Sequence, residues 1–197
     1  MLDLIFIAEL IWCTILLRVK GFYQSLIYAG GVLTSGYAAF QLTNWLAKRF
    51  SVPSNPAFQW LSHHLTTDSE SVTTLSRFIP PESASFSQMK HTQWIAYQVM
   101  RGMMYVSISA AVFLLFVAII YLSAAVWDRP FPHLFRFDSH MATVASAVSG
   151  TYVAVLSAVF LANLAWINTF GVIGDAVHHS LTISWIGRAI AQFHLLL

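Results

Sequence analysis

The sequence predicts an all-α, polytopic integral membrane protein: about four transmembrane helices, then a C-terminal amphipathic helix at the interface. Three observations predict it. Only 9% of the 197 residues are charged, against about 25% in a soluble domain. Those charges cluster between apolar blocks. The stretch Met141–Gly174 runs 34 residues without a charged side chain, and a small residue recurs at every fourth position: Ala142, Ser146, Gly150, Ala154, Ala158, Ala162. An uncharged run of that length points to a bilayer. A small-residue ridge points to close helix contact, because in lipid the hydrophobic effect does not drive helices together.

The chain divides into four regions of one membrane domain: an N-terminal transmembrane hairpin (1–49), a polar Ser/Thr/Pro loop (50–100), a second pair of transmembrane helices (101–174) and an amphipathic tail (175–197). The first apolar block, Leu2–Leu17, is bounded by Arg18 and Lys20. It is shorter than the roughly 20 residues a span needs, and the stems of Arg18 and Lys20 extend it by snorkelling. No basic segment precedes it, Asp3 and Glu9 are acidic, and no small-residue cleavage site follows. A retained span is therefore expected, not a signal peptide. The second block, Phe22–Ala47, is free of charge and ends at Lys48-Arg49. A link of only about four residues, Arg18–Gly21, forces an antiparallel hairpin, its turn marked by Arg18, Gly21 and Phe22. This block carries its own ridge, Gly31, Ser35 and Ala39, for packing against the first or last span.

Phe50–Gln93 holds Pro53, Pro56, Pro80 and Pro81 among many Ser and Thr residues, the composition of an aqueous loop. Thr92–Arg101 reads as an approach helix, with Trp94, Tyr97 and Tyr105 at headgroup depth. Gly102–Trp127 is the third span, uncharged over 26 residues and stopped by Asp128-Arg129-Pro130. The fourth span starts near Asp138–Met141. At about 1.5 Å per residue, its uncharged run would extend about 51 Å, well beyond a hydrocarbon core of about 30 Å. Asn163, Trp166 and Asn168 are expected to mark the far interface, and Gly171 and Gly174 a break. In the tail, Leu181, Trp185, Ile190 and Phe193 form the apolar set; His178, Arg188 and Gln192 form the polar set. A four-residue repeat slips about 40° per step on a helix of 3.6 residues per turn. The ridge therefore winds around the fourth helix, with a steep crossing near Gly150 and different neighbours at its ends.

Function is less legible. A formal net charge of +2 is too small to suggest nucleic acid. The expected partners are the lipid bilayer and other membrane helices, from further copies of the chain or from other proteins. No cofactor, metal or catalytic residue is expected. Cys13 is alone and reads as a small apolar side chain. Glu9 is the only carboxylate well inside an apolar block; with Asn163 it is a candidate polar point within the membrane, structural or part of a path. Adjacent histidines point about 100° apart on a helix. Neither His63-His64 nor His178-His179 is thus a bidentate pair, and only a composite of the two pairs could ligate metal. Ser180 and Asp175 lie near His178-His179, but no GxSxG or HExxH spacing accompanies them. The basic residues are split almost evenly between the two sides; weighting the first hairpin places Arg18 and Lys20 in the cytoplasm.

Asp3, Arg18, Gly21 and Phe22 form an acidic start and an R-x-x-G-F turn, ahead of a small-residue fourth helix around Gly150 and a tail bearing Ser180. In this arrangement the chain resembles the CvpA (colicin V production protein) family, over nearly its whole length. It departs from that pattern in a longer second loop and in using Ala and Ser where the fourth helix is expected to carry Gly. The resemblance implies a multi-pass protein of the bacterial cytoplasmic (inner) membrane, an accessory to toxin production or export and envelope homeostasis, and no enzyme. A small-residue-lined channel or transporter subunit is the alternative reading, and a membrane-embedded enzyme a distant second.

Overall fold

A computed structural model describes residues 1–19, 22–50, 54–65, 75, 78–79, 91–127 and 139–196. Their regular structure is helical throughout, apart from one isolated bridge between Leu65 and Ile167. Among the described residues the bounded α-helices are, in order, α1 (Leu2–Val19), α2 (Phe22–Phe50), α3 (Pro56–His63), α4 (His91–Trp127), α5 (Ser139–Ala165), α6 (Gly171–His178) and α7 (Leu181–Leu196). The 3₁₀ turn Asn168–Phe170 leads into α6. The four long helices contain no proline, so nothing interrupts their backbone bonding. Proline instead starts α3: Pro56 takes its first turn, and Asn55 caps it by accepting from the Ala57 amide at 2.9 Å.

The long helices alternate in direction, and α5 lies among the other three. Its pairing with α1 runs antiparallel: Ser157 meets Glu9, and Gly150 faces Leu10, Cys13 and Thr14. Against α2 it runs parallel, with Ser146 beside Ser25 and Tyr152 beside Gly36. Helices α2 and α4 are antiparallel, with Gly31 against Phe116 and Asn44 against Arg101.

Two different interiors result. Along the long helices it is small and hydroxylic: Ser25, Ser35, Ala39, Ser109, Ser146, Ala154 and Ala158 are all buried. At the end where α2 and α5 finish, a conventional core gathers large side chains. Phe58, Leu61, Val99, Trp166, Val177 and Ile183 pack there with Phe6 from α1. The Asn168 amide donates to the His64 carbonyl at 2.8 Å and ties α3 to the connection beyond α5. Many large apolar side chains of the long helices face outward: Trp12 is 65% exposed, Leu33 65% and Leu122 66%.

Several expectations change. Among the described residues, two helices are long and apolar enough by themselves to cross a membrane, over Thr92–Ser123 and His140–Ala165. Within its 18 residues α1 carries Asp3, Glu9 and Arg18, and α2 is diluted by Gln24, Gln41, Thr43 and Asn44. The third long helix is continuous from His91 for 37 residues, so the expected approach helix and third span form one element. Trp94 and Trp166 are not belt residues: both are buried, Trp94 stacked on Tyr97 at 5.8 Å between ring centroids. Gly171 opens α6 and Gly174 lies within it, so the break comes earlier, at Trp166–Phe170. The tail is two helices divided at His179-Ser180. In α7, Ile183 is buried against the bundle while Leu181 and Trp185 point out; the expected single apolar face is split between two sides. Gly21 lies outside the described residues.

Candidate functional site

The ridge residues come first, because they carried the expectation. Ala142, Ser146, Gly150, Ala154 and Ala158 of α5 are all buried, as are Gly31, Ser35 and Ala39 of α2. Their neighbours differ along the helix. Ser146 Oγ sits 3.1 Å from Ser25 Oγ and 2.7 Å from the Ala142 carbonyl, and Ser25 in turn donates to the Leu17 carbonyl at 2.8 Å. One turn on, Gly150 lies against the α1 backbone; a Cβ there would stand 3.1 Å from the Leu10 carbonyl oxygen. Small residues let two backbones approach in this way, which is how helices gain dispersion contact without bulky side chains. In α2 the Phe116 ring lies where a side chain on Gly31 would go.

Two carboxylates are used within the bundle. Glu9 accepts from Ser157 Oγ at 2.8 Å and lines an outward groove with Ile5, Trp12, Phe160 and Leu161. Asp3, ahead of the apolar run Leu4–Leu17, clasps the start of α7. Its Oδ1 accepts from the Thr182 amide at 2.8 Å and from Ser180 Oγ at 2.7 Å, and its Oδ2 from the Leu181 amide at 3.3 Å. Ser180 also caps α7 by accepting from the Ile183 amide at 3.3 Å. A helix N-terminus offers unpaired N–H groups and the positive end of its dipole.

A pocket of about 280 Å³ opens where α2, the start of α4 and the end of α5 meet, at the edge of the large-residue core. Its polar lining comes from Thr43 and Asn44 of α2, Gln98, Arg101 and Tyr105 of α4, and Asn163 of α5. Arg101 Nη2 donates to Asn44 Oδ1 at 2.8 Å. Asn163 Nδ2 donates back to the Val159 carbonyl at 2.8 Å. The Asn163 amide fits because residue 102 is glycine: a Cβ there would fall 2.5 Å from Asn163 Nδ2. Below the pocket, Tyr152 Oη sits 2.9 Å from Ser109 Oγ and 3.4 Å from Tyr105 Oη. Of the polar lining, the sequence names Asn163 as a polar point within the membrane and Tyr105 as an aromatic at headgroup depth. Arg101 appears there only as the end of the approach helix, and Thr43, Asn44 and Gln98 give no signal, since neutral polar residues at two distant places carry no spacing that links them.

The histidine pairs do not assemble. His64 and His179 each bond through Nδ1 to a carbonyl one turn back, Trp60 and Asp175, both at 2.8 Å. Among the described residues no group of three or more His, Cys, Asp or Glu is placed to hold a metal ion. Ser180 points to Asp3 and not to a histidine base. In comparisons with known proteins, no family model matches the chain, and no curated protein or solved structure does so either.

Proposed function

We propose that the chain is a multi-pass protein of the bacterial cytoplasmic membrane, with α1, α2, α4 and α5 as its spans, serving as a CvpA-like accessory to toxin export and envelope homeostasis through helix–helix contacts. One observation carries the membrane part: the bundle is small and hydroxylic inside and bulky and apolar outside. Ser25, Ser35 and Ser146 are 0% exposed, while Leu4 is 70% and Leu114 66% exposed. A soluble monomer rarely shows apolar patches beyond about 300–600 Å², whereas lipid solvates such a surface at no cost. Glu9 is tolerable in α1 because Ser157 supplies it a hydrogen bond, as acids inside membranes require.

The accessory role rests on the resemblance at Asp3, Arg18, Gly21, Phe22, Gly150 and Ser180. Two of these positions, Asp3 and Ser180, are hydrogen-bonded across 177 residues of chain, which gives that pair a joint structural purpose. The test is complementation. In a bacterium lacking its CvpA-type protein, this chain should restore colicin V export, and Gly150→Leu should insert but fail to restore it. No restoration by a wild-type chain that is inserted and stable would refute the accessory role. Partner capture by single cysteines at the outward-facing Val144 and Val148 of α5, in a Cys13-free background, then separates self-association from contact with other proteins.

A further inference from the structure

We propose that the Arg101 pocket binds a phosphate-bearing group, with the headgroup of an anionic lipid as the source best suited to its walls; the lipid source, though not the phosphate chemistry, rests on the membrane reading above. Arg101 is the first ground. Its guanidinium is permanently charged and presents five N–H donors in a fork that matches phosphate oxygens. Its one hydrogen bond to a described residue goes to Asn44, a neutral acceptor. The described carboxylates are spent elsewhere or lie apart: Asp3 on α7, Glu9 on Ser157, and Asp175 on the exposed face of α6. Among the described residues, Asn44 positions this charge and no carboxylate pairs with it.

Thr43 is the second and independent ground. It is 2% exposed, lines the same pocket, and its Oγ1 has no hydrogen-bond partner. A helical hydroxyl in an apolar setting normally turns back to the carbonyl four residues earlier, as Thr34 does to Gly30 at 2.8 Å. Thr43 does not. A buried hydroxyl without a partner is destabilising, and a ligand oxygen in the pocket would remove that cost. Gln98, 8% exposed, adds a second buried amide to the same lining.

Depth and shape favour a lipid headgroup. Arg101 immediately precedes the uncharged run Gly102–Trp127, so its guanidinium reaches the border of the hydrocarbon. Basic pockets between transmembrane helices are suited to anionic headgroups at that level. Phe40 and Ile190 supply apolar wall beside the polar groups, as a ligand with a polar head and an apolar tail requires. The volume of about 280 Å³ holds a headgroup and leaves the acyl chains outside.

The test uses the full chain in neutral-detergent micelles, titrated with dioleoylphosphatidylglycerol, dioleoylphosphatidylcholine or inorganic phosphate, with binding read from the shift in thermal unfolding. Phosphatidylglycerol should bind at least about 10-fold more tightly than phosphatidylcholine, and Arg101→Gln should abolish that preference. Thr43→Val, which keeps the side-chain shape, should reduce it several-fold, while Arg49→Gln leaves it unchanged. If inorganic phosphate binds as tightly as phosphatidylglycerol, and through Arg101, the source is a soluble phosphate; weaker binding identifies the lipid. No preference over phosphatidylcholine, or one untouched by both pocket variants, overturns the proposal. Should Arg101→Gln fail to fold, Thr43→Val decides alone. Carbonate extraction of the wild-type chain from membranes separates the two readings. An extracted chain that binds phosphate through Arg101 sinks the membrane reading alone; an embedded chain without Arg101-dependent binding sinks the site alone.

Discussion

Gly150 sets the ridge of α5 directly against the α1 backbone, and substitution there tests that fit. A Cβ would stand 3.1 Å from the Leu10 carbonyl oxygen, 3.1 Å from Thr14 Oγ1 and 3.4 Å from Cys13 Cβ. Two of those distances are tighter than ordinary van der Waals contact, and one neighbour is backbone that cannot rotate away. Gly150→Ala therefore needs a shift of a few tenths of an ångström, offset by the roughly 1 kcal/mol that alanine gains over glycine within a helix. It should change stability by less than about 1 kcal/mol. Gly150→Leu adds three more carbons to the same gap. Overpacking costs about 1–3 kcal/mol, and with a carbonyl on the far side the upper end applies, a loss of roughly 150-fold in the folding equilibrium. Insertion should be unaffected, since leucine is more apolar than glycine. The assay is reversible unfolding in mixed micelles, paired with a disulfide test. Gly150→Cys places its Cβ near that of native Cys13, at the short end of the roughly 3.5–4.5 Å range of disulfides, and mild oxidation should link α1 to α5 within one chain. A leucine variant as stable as wild type, together with no crosslink in the cysteine variant, would refute the packing.

Other outcomes follow from the contacts at the two ends of the bundle. Tyr152→Phe removes the bonds to Ser109 and Tyr105 and should cost about 0.6–1.7 kcal/mol, the range for such bonds within membranes, by the same unfolding assay. Gly102→Val should expel the Asn163 amide from its place and perturb the Arg101 pocket, measured as lost lipid or phosphate binding with α1–α5 crosslinking intact. Asp3→Ala should release α7, seen as faster amide exchange at Leu181–Ile183.

The sequence carried the ridge plainly, because small residues at a fixed step need no knowledge of the partner: Ala142 to Ala158 lie inside, and bulky residues such as Val144 and Val148 lie out. It could not show which helix each small residue would meet, since that depends on helix order. Trp94 and Trp166 misled for a physical reason. Aromatics beside an apolar run look like an interfacial belt, but here Trp166 sits in the core to which α3, α6 and α7 contribute, and Trp94 is buried as well. The tail was misread because its hydrophobic periodicity was assigned one face, whereas Asp3 fixes α7 with Ile183 inward and Trp185 outward. The pocket was illegible because Thr43, Gln98, Arg101 and Asn163 belong to three helices, and only their crossing brings them together.

The central claim is a four-span bundle in which the charged α1 and the polar α2 cross the membrane beside α4 and α5. Topology reporters placed after Arg18, near Ser69 and at Leu197 test it most directly. Four spans put the Arg18 reporter on one side of the membrane and the Ser69 and Leu197 reporters together on the other. If all three report the same side, only α4 and α5 cross, and the four-span account is wrong.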